Sequence, residues 1–405
     1  MGSLPCYQFR QRGRVREGAS PVSGFDRKAV IAGVFEHPTR WAPDKTMFQI
    51  HAESARGALA DAGLTIKDVD GFFTSGVGPI GVMAVCEHLN INPRYLDSTS
   101  IGGSSFVAHV SHAAAAIAAG LCEVALITYG STASSERFAV GTGGGFAGDP
   151  PDHFESSYGP TVVGSYALCA QRHMHEFGTT SEQLAEIAVT VRRHASLNPA
   201  AKFRDLITVE DVLASRIVSS PLHLLDCCII SDGGGALVVT SAARARDLKK
   251  KPVQILGASE AVCHTAAGVR DLTDMAAKQS APRALAMAGV KHADVDMCMI
   301  YDSFTITVLE TLENLGFCKK GEGGAFVQNG RIGLGGELPI NTDGGGLSSN
   351  HPGMRGMFLV IEASKQLRGE CGERQVKDCA IALCHGTGGM LGLRHSGATL
   401  ILGRD

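Results

Sequence analysis

The chain has 405 residues, 44% hydrophobic and 19% charged, which excludes a disordered or fibrous protein and provides for a large core in two or three domain-sized units. Lys and Arg number 37 against 40 Asp and Glu, so a net charge of −3 leaves no broad basic field for a nucleic acid backbone. Fifty glycines in short clusters without a period exclude a collagen-like repeat and predict many tight loops.

The first 24 residues carry Arg10, Arg12, Arg14 and Arg16 and read as an N-terminal arm, disordered on its own. A strand-like run, Ala29 to Gly33, follows. The segment RGALADAGLTIKDVDGF, Arg56 to Phe72, then recurs without a gap as PRALAMAGVKHADVDMC, Pro282 to Cys298. Identities include Ala58/Ala284, Ala62/Ala288, Gly63/Gly289, Asp68/Asp294 and Asp70/Asp296. Each copy predicts an amphipathic helix stopped by glycine, a short loop and the start of a strand. The run Val253 to Gly257 stands before the second copy as Ala29 to Gly33 stands before the first.

A second pair supports the repeat. Ser104 to Gly120 predicts a small-residue helix followed by a strand, Glu123 to Gly130; Gly353 to Gly369 predicts a helix followed by a strand, Cys379 to Gly386. Apolar strands between helices predict mixed sheets covered on both faces. The chain therefore divides into an arm (1–24), a first α/β half (25–250) and a second (251–405). An insertion at 131–219 holds the Gly/Pro-rich GTGGGFAGDPP and helical patterns around 166–177 and 181–197.

Twelve cysteines lie without a regular framework and the N-terminus lacks a secretory pattern, so reduced thiols and a cytoplasmic protein are expected. The absence of C-x-x-C and H-E-x-x-H predicts no metal site, and Cys227 and Cys228 read as small hydrophobes. The longest apolar stretch, Ala113 to Cys122, has half the roughly 20 residues a membrane helix needs.

Two similar halves, a small-residue central helix, and the loops NTDGGGLSSNHPGMRG and CHGTGG resemble the thiolase superfamily, specifically its sterol-carrier-protein or lipid-transfer-protein type. His173 to Asp205 and Ser219 to Val239 carry the same likeness. The resemblance implies a five-layered αβαβα fold, with a mixed five-stranded sheet in each half and a helical loop insertion. The family's nucleophilic cysteine opens the central helix, where a helix N-terminus lowers a thiol pKa. Here that place falls on Gly102, and Ser104 and Ser105 nearby read as helix-start residues rather than nucleophiles. Where the family has H-D-C-F, this chain has Tyr301-Asp302-Ser303-Phe304. The loop Asn341 to Gly356 keeps the family pattern and puts His351 at the catalytic histidine. His385 matches a histidine of the sterol-carrier type, with Gly386 in place of asparagine.

The resemblance assigns Tyr301, His351 and His385 to catalysis, with Gly345, Gly346, Gly388 and Gly389 letting backbone approach the thioester. Asp302 and Ser303 orient the loop. Cys384 is a bystander, and His173, His175 and His194 are surface or packing residues. Gly143 to Gly148 fits G-x-G-x-x-G, but with Asp149-Pro150-Pro151 after it no helix is poised for a dinucleotide. A thiolase pocket without its cysteine cannot carry an acyl group, yet can support retro-aldol cleavage of a β-hydroxyacyl-CoA to a carbonyl compound and a shorter acyl-CoA. This is similar to the lipid-transfer-protein-type aldolases of bacterial steroid side-chain degradation. Those proteins act with a DUF35-type OB-fold and zinc-ribbon subunit. A homodimer and such a partner are expected, with coenzyme A entering only as part of the substrate. Tyr301 and His351 remain alternatives for the base. A thiolase or other acyltransferase, and a non-catalytic scaffold subunit, are the competing readings.

Overall fold

The structure, a computed structural model, describes residues 28–78, 80–137, 161–264 and 270–404, so the N-terminal arm and the Gly143 to Gly148 stretch lie outside the described residues. The first half contributes β1 (Ala29–Glu36), α1 (Met47–Ala62), β2 (Gly71–Phe73), α2 (Gly81–Leu89), β3 (Tyr95–Asp97), α3 (Ser105–Ala118) and β4 (Val124–Ser131). The insertion follows with α4 (Val162–Phe177), α5 (Ser181–Ser196), α6 (Val209–Ala214) and a two-stranded ribbon, β5 (Ile217–Ser219) with β6 (Leu222–His223), before β7 (Gly233–Ser241) completes that half. The second half holds β8 (Val253–Cys263), α7 (Ala277–Ala288), β9 (Met297–Ile300), α8 (Thr305–Leu315), α9 (Gly356–Arg368), β10 (Ile381–Met390) and β11 (Leu393–Gly403).

The repeated residues do the same work in both halves. Gly63 and Gly289 end α1 and α7 in the left-handed region, at φ of 77° and 69°, where a side chain is strained. Asp70 accepts the backbone N–H groups of Glu123 and Val124, and Asp296 accepts those of Ala380 and Ile381, so each aspartate clamps the start of a neighbouring strand. Gly33 and Gly257 lie inside β1 and β8 rather than at their ends. A Cβ on either would stand 2.2 Å from a helix carbonyl, of Ala58 and of Ala284, and each follows a register shift in its strand. The helix of the second copy starts upstream of Pro282, which lies inside it.

The strand order β3-β2-β4-β7-β1-β8-β11-β10-β9 joins the two halves edge to edge through β1 and β8, with Val30 opposite Gln254. The first half supplies five strands. The second supplies four, and its fifth position is held only by a parallel bridge between Cys298 and Ile340. Alternation along the strands separates the layers. Ala125, Ile127 and Tyr129 of β4, and Met297 and Met299 of β9, face a shared central cluster with α3 and α9. Val124 and Leu126 face α1 outside the first half, while Cys298 and Ile300 face α7 and α8 outside the second. These are the five αβαβα layers.

The insertion crosses over. Tyr166, Leu184, Ile187 and Val191 of α4 and α5 are buried in one cluster with Phe304, Leu309 and Leu312 of the second half. Thr180 caps α5 in a reciprocal box with Gln183, worth about 1 kcal/mol. The crossing lays α4 over the ends of β9 and β10, and the functional site forms there. Among the described residues no helix is long and apolar enough to cross a membrane.

Candidate active site

Four pieces of chain converge at one point. The turn Gly102 to Ser104 leads into α3, the loop His351 to Arg355 leads into α9, Tyr301 ends β9, and Thr387 to Gly389 lie in β10. The two central helices start side by side, with the Gly356 N–H donating to the Gly103 carbonyl at 3.1 Å. Both helix N-termini thus bring positive dipole ends to a cavity of about 240 Å³. Tyr301, His351, Ser303, Cys228, Thr387, Gly388 and Gly389 line it, with Val162, Tyr166, Phe304 and Met354 as its apolar wall.

Tyr301 Oη lies 2.9 Å from His351 Nε2 and 3.3 Å from the Gly353 carbonyl. Both side chains are buried, at 5% and 4% exposure, so neither exchanges protons freely with bulk water. Burial raises the Tyr301 pKa well above the ordinary phenol value. Burial, with the Arg355 guanidinium adding to it, lowers His351 to about 4. At neutral pH the pair is therefore a neutral phenol against a neutral imidazole. Among the described residues His351 Nδ1 has no partner, while the His351 backbone N–H donates to Ser231 Oγ at 3.0 Å.

Gly102, where the resemblance puts the family's cysteine, has no room for a side chain. Gly102 has φ of 67°, and a Cβ there would stand 2.7 Å from Gly389 N and 2.8 Å from Gly388 Cα. A Cβ on Gly103 would stand 2.2 Å from Tyr301 Cε2. The phenol ring and the β10 backbone occupy the space in which a nucleophile would sit. Ser104 and Ser105 do not replace it, because both hydroxyls are turned into the preceding turn, bonding Ile101 O and Gly102 O at 2.8 and 2.7 Å.

Two sequence-based assignments are corrected by the geometry. Gly345 and Gly346 lie away from the cavity: the Gly346 N–H donates to Asp302 Oδ1 at 2.7 Å, and a Cβ on Gly345 would meet Asp302 Oδ2 at 1.9 Å. Their small size admits the Asp302 carboxylate, not a thioester. His385 points to the outer face of β10, where Nδ1 lies 2.9 Å from Thr399 Oγ1 and burial lowers its pKa to about 3. It supports the site only through its carbonyl, which accepts the Tyr301 N–H at 3.0 Å. Gly388 and Gly389 do line the cavity, and Gly389 sits at a register shift between the pairs Gly388/Ser396 and Met390/Leu393 of β10 and β11. Cys384 is buried, its thiol donating to Leu359 O and its pKa raised by burial, as expected of a bystander. His173 bonds Glu313 in the core.

Composition and motif gave no sign of Arg355. Its guanidinium is fully buried and joins Asp343 Oδ2 at 2.5 Å, Asp302 Oδ1 at 3.2 Å and Asn350 Oδ1 at 2.6 Å. This latch fixes the loop that carries His351 to the residue that follows Tyr301. Burial raises the Asp302 pKa to about 6 despite the opposing pull of Arg355. Tyr129 holds the same loop from β4, donating to Pro352 O at 2.6 Å and accepting from Met354 N at 3.0 Å.

The thiolase C-terminal domain-like family profile matches residues 258–404. A steroid side-chain-cleaving aldolase of Thermomonospora curvata is 36% identical over 358 residues, 84% of this chain and 90% of that one. The chain belongs to the thiolase superfamily. Within it, a 17-hydroxy-3-oxo-4-pregnene-20-carboxyl-CoA lyase of Mycobacterium tuberculosis is 36% identical over 361 residues, 84% of this chain and 92% of the relative. An acetyl-CoA acetyltransferase of Methanothermobacter thermautotrophicus is 32% identical over 371 residues, 90% of this chain and 97% of the relative. The solved Ltp2-ChsH2(DUF35) aldolase superposes with a TM-score of 0.85 at 34% identity, covering 94% of this chain and 98% of that one. Superfamily membership thus spans lyases and acyltransferases.

Proposed function

We propose that this protein cleaves a β-hydroxyacyl-CoA by a retro-aldol reaction in which Tyr301 and His351 move the protons. It is a carbon–carbon lyase of acyl-CoA thioesters, in line with its aldolase and CoA-lyase relatives. The observation that carries the reading is the Tyr301 ring standing where a Cβ on Gly103 would be, beside a Gly102 that admits no side chain. With no nucleophile at the start of α3, and with Cys228 held as a thiol by burial, an acyl group is not carried on the enzyme and the bond breaks in one non-covalent complex.

A buried phenol is costly to ionise, so Tyr301 does not wait as a phenolate. The hydrogen bond to His351 removes that need. The substrate hydroxyl proton passes to Tyr301 Oη as the Tyr301 proton passes to His351 Nε2. The carbinol becomes a carbonyl, the Cα–Cβ electrons move into the thioester as an enolate, and the α carbon then takes a proton back from Tyr301 while His351 returns one to the phenol. Atoms and charge balance, and no cofactor enters. The helix N-termini and the backbone at Gly388 and Gly389 face the developing negative charge.

A steroid side chain is the substrate class favoured by the two 36% identical relatives. A DUF35-type partner is supported by the 34% identical aldolase solved with such a chain. A homodimer through β3 is supported by the edge position of that strand and by exposed Leu96, Met83 and Ile80 beside it. Light scattering that finds a stable folded monomer at micromolar concentration removes the dimer. The reaction itself is tested by incubating the protein, alone and with a DUF35-type partner, with a 3-hydroxyacyl-CoA bearing a steroid or branched side chain. Equimolar carbonyl compound and shortened acyl-CoA are expected. Formation of a new acyl thioester from added free CoA, without a released aldehyde or ketone, would instead identify a thiolase.

A further inference from the structure

Nearly every polar side chain on the cavity wall is already engaged. The Tyr301 hydroxyl meets His351, and Ser303 Oγ meets Thr307 Oγ1 at 2.9 Å. Cys228 is kept as a thiol by burial. Thr387 differs: it is 2% exposed, it lines the cavity, and its Oγ1 has no hydrogen-bond partner among the described residues. A buried hydroxyl in that state has given up water for nothing, whereas valine would fill the same space without the loss.

The face of β10 from which this side chain projects follows from its neighbours in the strand. A Cβ on Gly386 would meet Ser104 Cα at 2.9 Å, and one on Gly388 would meet Ile101 O at 1.8 Å. Both glycines therefore face the turn before α3. Successive residues of a strand point to opposite faces, so Thr387 projects from the same face as His385, and at this end of β10 it lines the cavity with Val162 and Tyr166 of α4. Its carbonyl lies 2.6 Å from the point where a Cβ on Gly103 would stand, and Tyr301 Cε2 lies 2.2 Å from that same point, so the threonine and the phenol are neighbours.

We propose that Thr387 is a further catalytic residue, whose hydroxyl donates a hydrogen bond to the thioester oxygen and holds it as the enolate forms. This rests on the lyase reading above. Tyr301 and His351 are occupied with proton transfer, and the thioester oxygen gains charge as the Cα–Cβ bond breaks. A donor with no partner in the resting site gives up no existing hydrogen bond when it turns to the oxygen, and its bond strengthens as charge develops there in the transition state.

The test uses Thr387→Val, which keeps shape and removes the hydroxyl, and Thr387→Ser, which keeps the hydroxyl. Thr387→Ala serves should the valine variant fold poorly, judged by thermal melting. Two rates are read on the full chain with any partner it requires: cleavage of a β-hydroxyacyl-CoA, and uptake of deuterium from D₂O at the α carbon of propionyl-CoA. The second needs the enolate but no bond cleavage. Loss of the hydroxyl should slow both rates by about 10²–10³-fold while propionyl-CoA binding stays within about threefold, and serine should restore most of the loss. Valine or alanine rates within about twofold of wild type would overturn the assignment, as would a binding loss equal to the rate loss. A wild-type protein that neither cleaves nor exchanges overturns the lyase reading and this assignment with it.

Discussion

Arg355 reaches Asp302 across 3.2 Å, and through this ion pair the loop bearing His351 is locked to the residue that follows Tyr301. The pair is wholly buried, and the same guanidinium also holds Asp343. His351 and Tyr301, the pair proposed to move the protons, come from chain segments 50 residues apart, so their 2.9 Å contact depends on this latch.

Arg355→Met should therefore destabilise the fold by about 3–5 kcal/mol, because it leaves two carboxylates buried without their counter-charge. Arg355→Lys should lie between, supplying the charge but not the planar fork. Urea denaturation midpoints read both, and a methionine variant as stable as wild type would show that the latch carries no strain-bearing role.

Replacing Gly102 by cysteine should not create a thiolase. The φ of 67° and the contacts at 2.7 and 2.8 Å from β10 predict a loss of about 1–3 kcal/mol from backbone strain alone. Intact-protein mass spectrometry after acyl-CoA treatment should show unmodified mass for wild type and for this variant. An adduct on Ser104, Ser105 or Cys384 in the wild-type protein would contradict the non-covalent mechanism.

Stability should fall in mild acid. Burial lowers the pKa to about 3 for His51 and His385, and to about 4 for His109, His194, His351 and His395. Unfolded, these imidazoles protonate near ~6.5. The unfolded chain thus binds more protons below that value, so their contribution is complete above about pH 6.5 and lost as pH falls toward 4. Asp302, raised to about 6, opposes this by one proton. His112, raised to about 9 by hydrogen bonds to Asp97 and Glu260, adds stability that is full below about 6.5 and lost as pH rises through 9. The urea midpoint should drop steadily between pH 6.5 and 4; a constant midpoint over that window would refute the assignment of neutral buried histidines.

Much of the fold was legible because the repeat is made of residues with backbone duties. Gly63 and Gly289 end helices, and Asp70 and Asp296 clamp strands, so their spacing reports architecture directly. Tyr301 and His351 were reached through the resemblance, since each stands in a loop whose family pattern the chain keeps or alters, and the fold brings the two within 2.9 Å. What the sequence concealed is side-chain direction. In CHGTGG, alternation along β10 puts His385 and Thr387 on the same face, and only the fold decides that Thr387, nearer the strand end, lines the cavity while His385 packs on Thr399. Gly345 and Gly346 were read as ligand-facing because glycine pairs often are; their actual neighbour, Asp302, is distant in sequence. Arg355 was passed over for the same reason, its partners being brought together only by the fold.

The mechanism stands or falls on one hydroxyl. Tyr301→Phe keeps the ring that packs over Gly103 and removes only the Oη that meets His351, so the fold and acyl-CoA binding should survive. Loss of a proton-transfer group typically costs 10²–10⁴-fold, and kcat for cleavage of a β-hydroxyacyl-CoA by the purified variant should fall by about that factor. Because the two groups act as one unit, adding His351→Ala should make it little worse. A Tyr301→Phe enzyme that kept more than about half of the wild-type kcat, far above the level expected on losing an acid–base group, would contradict the account.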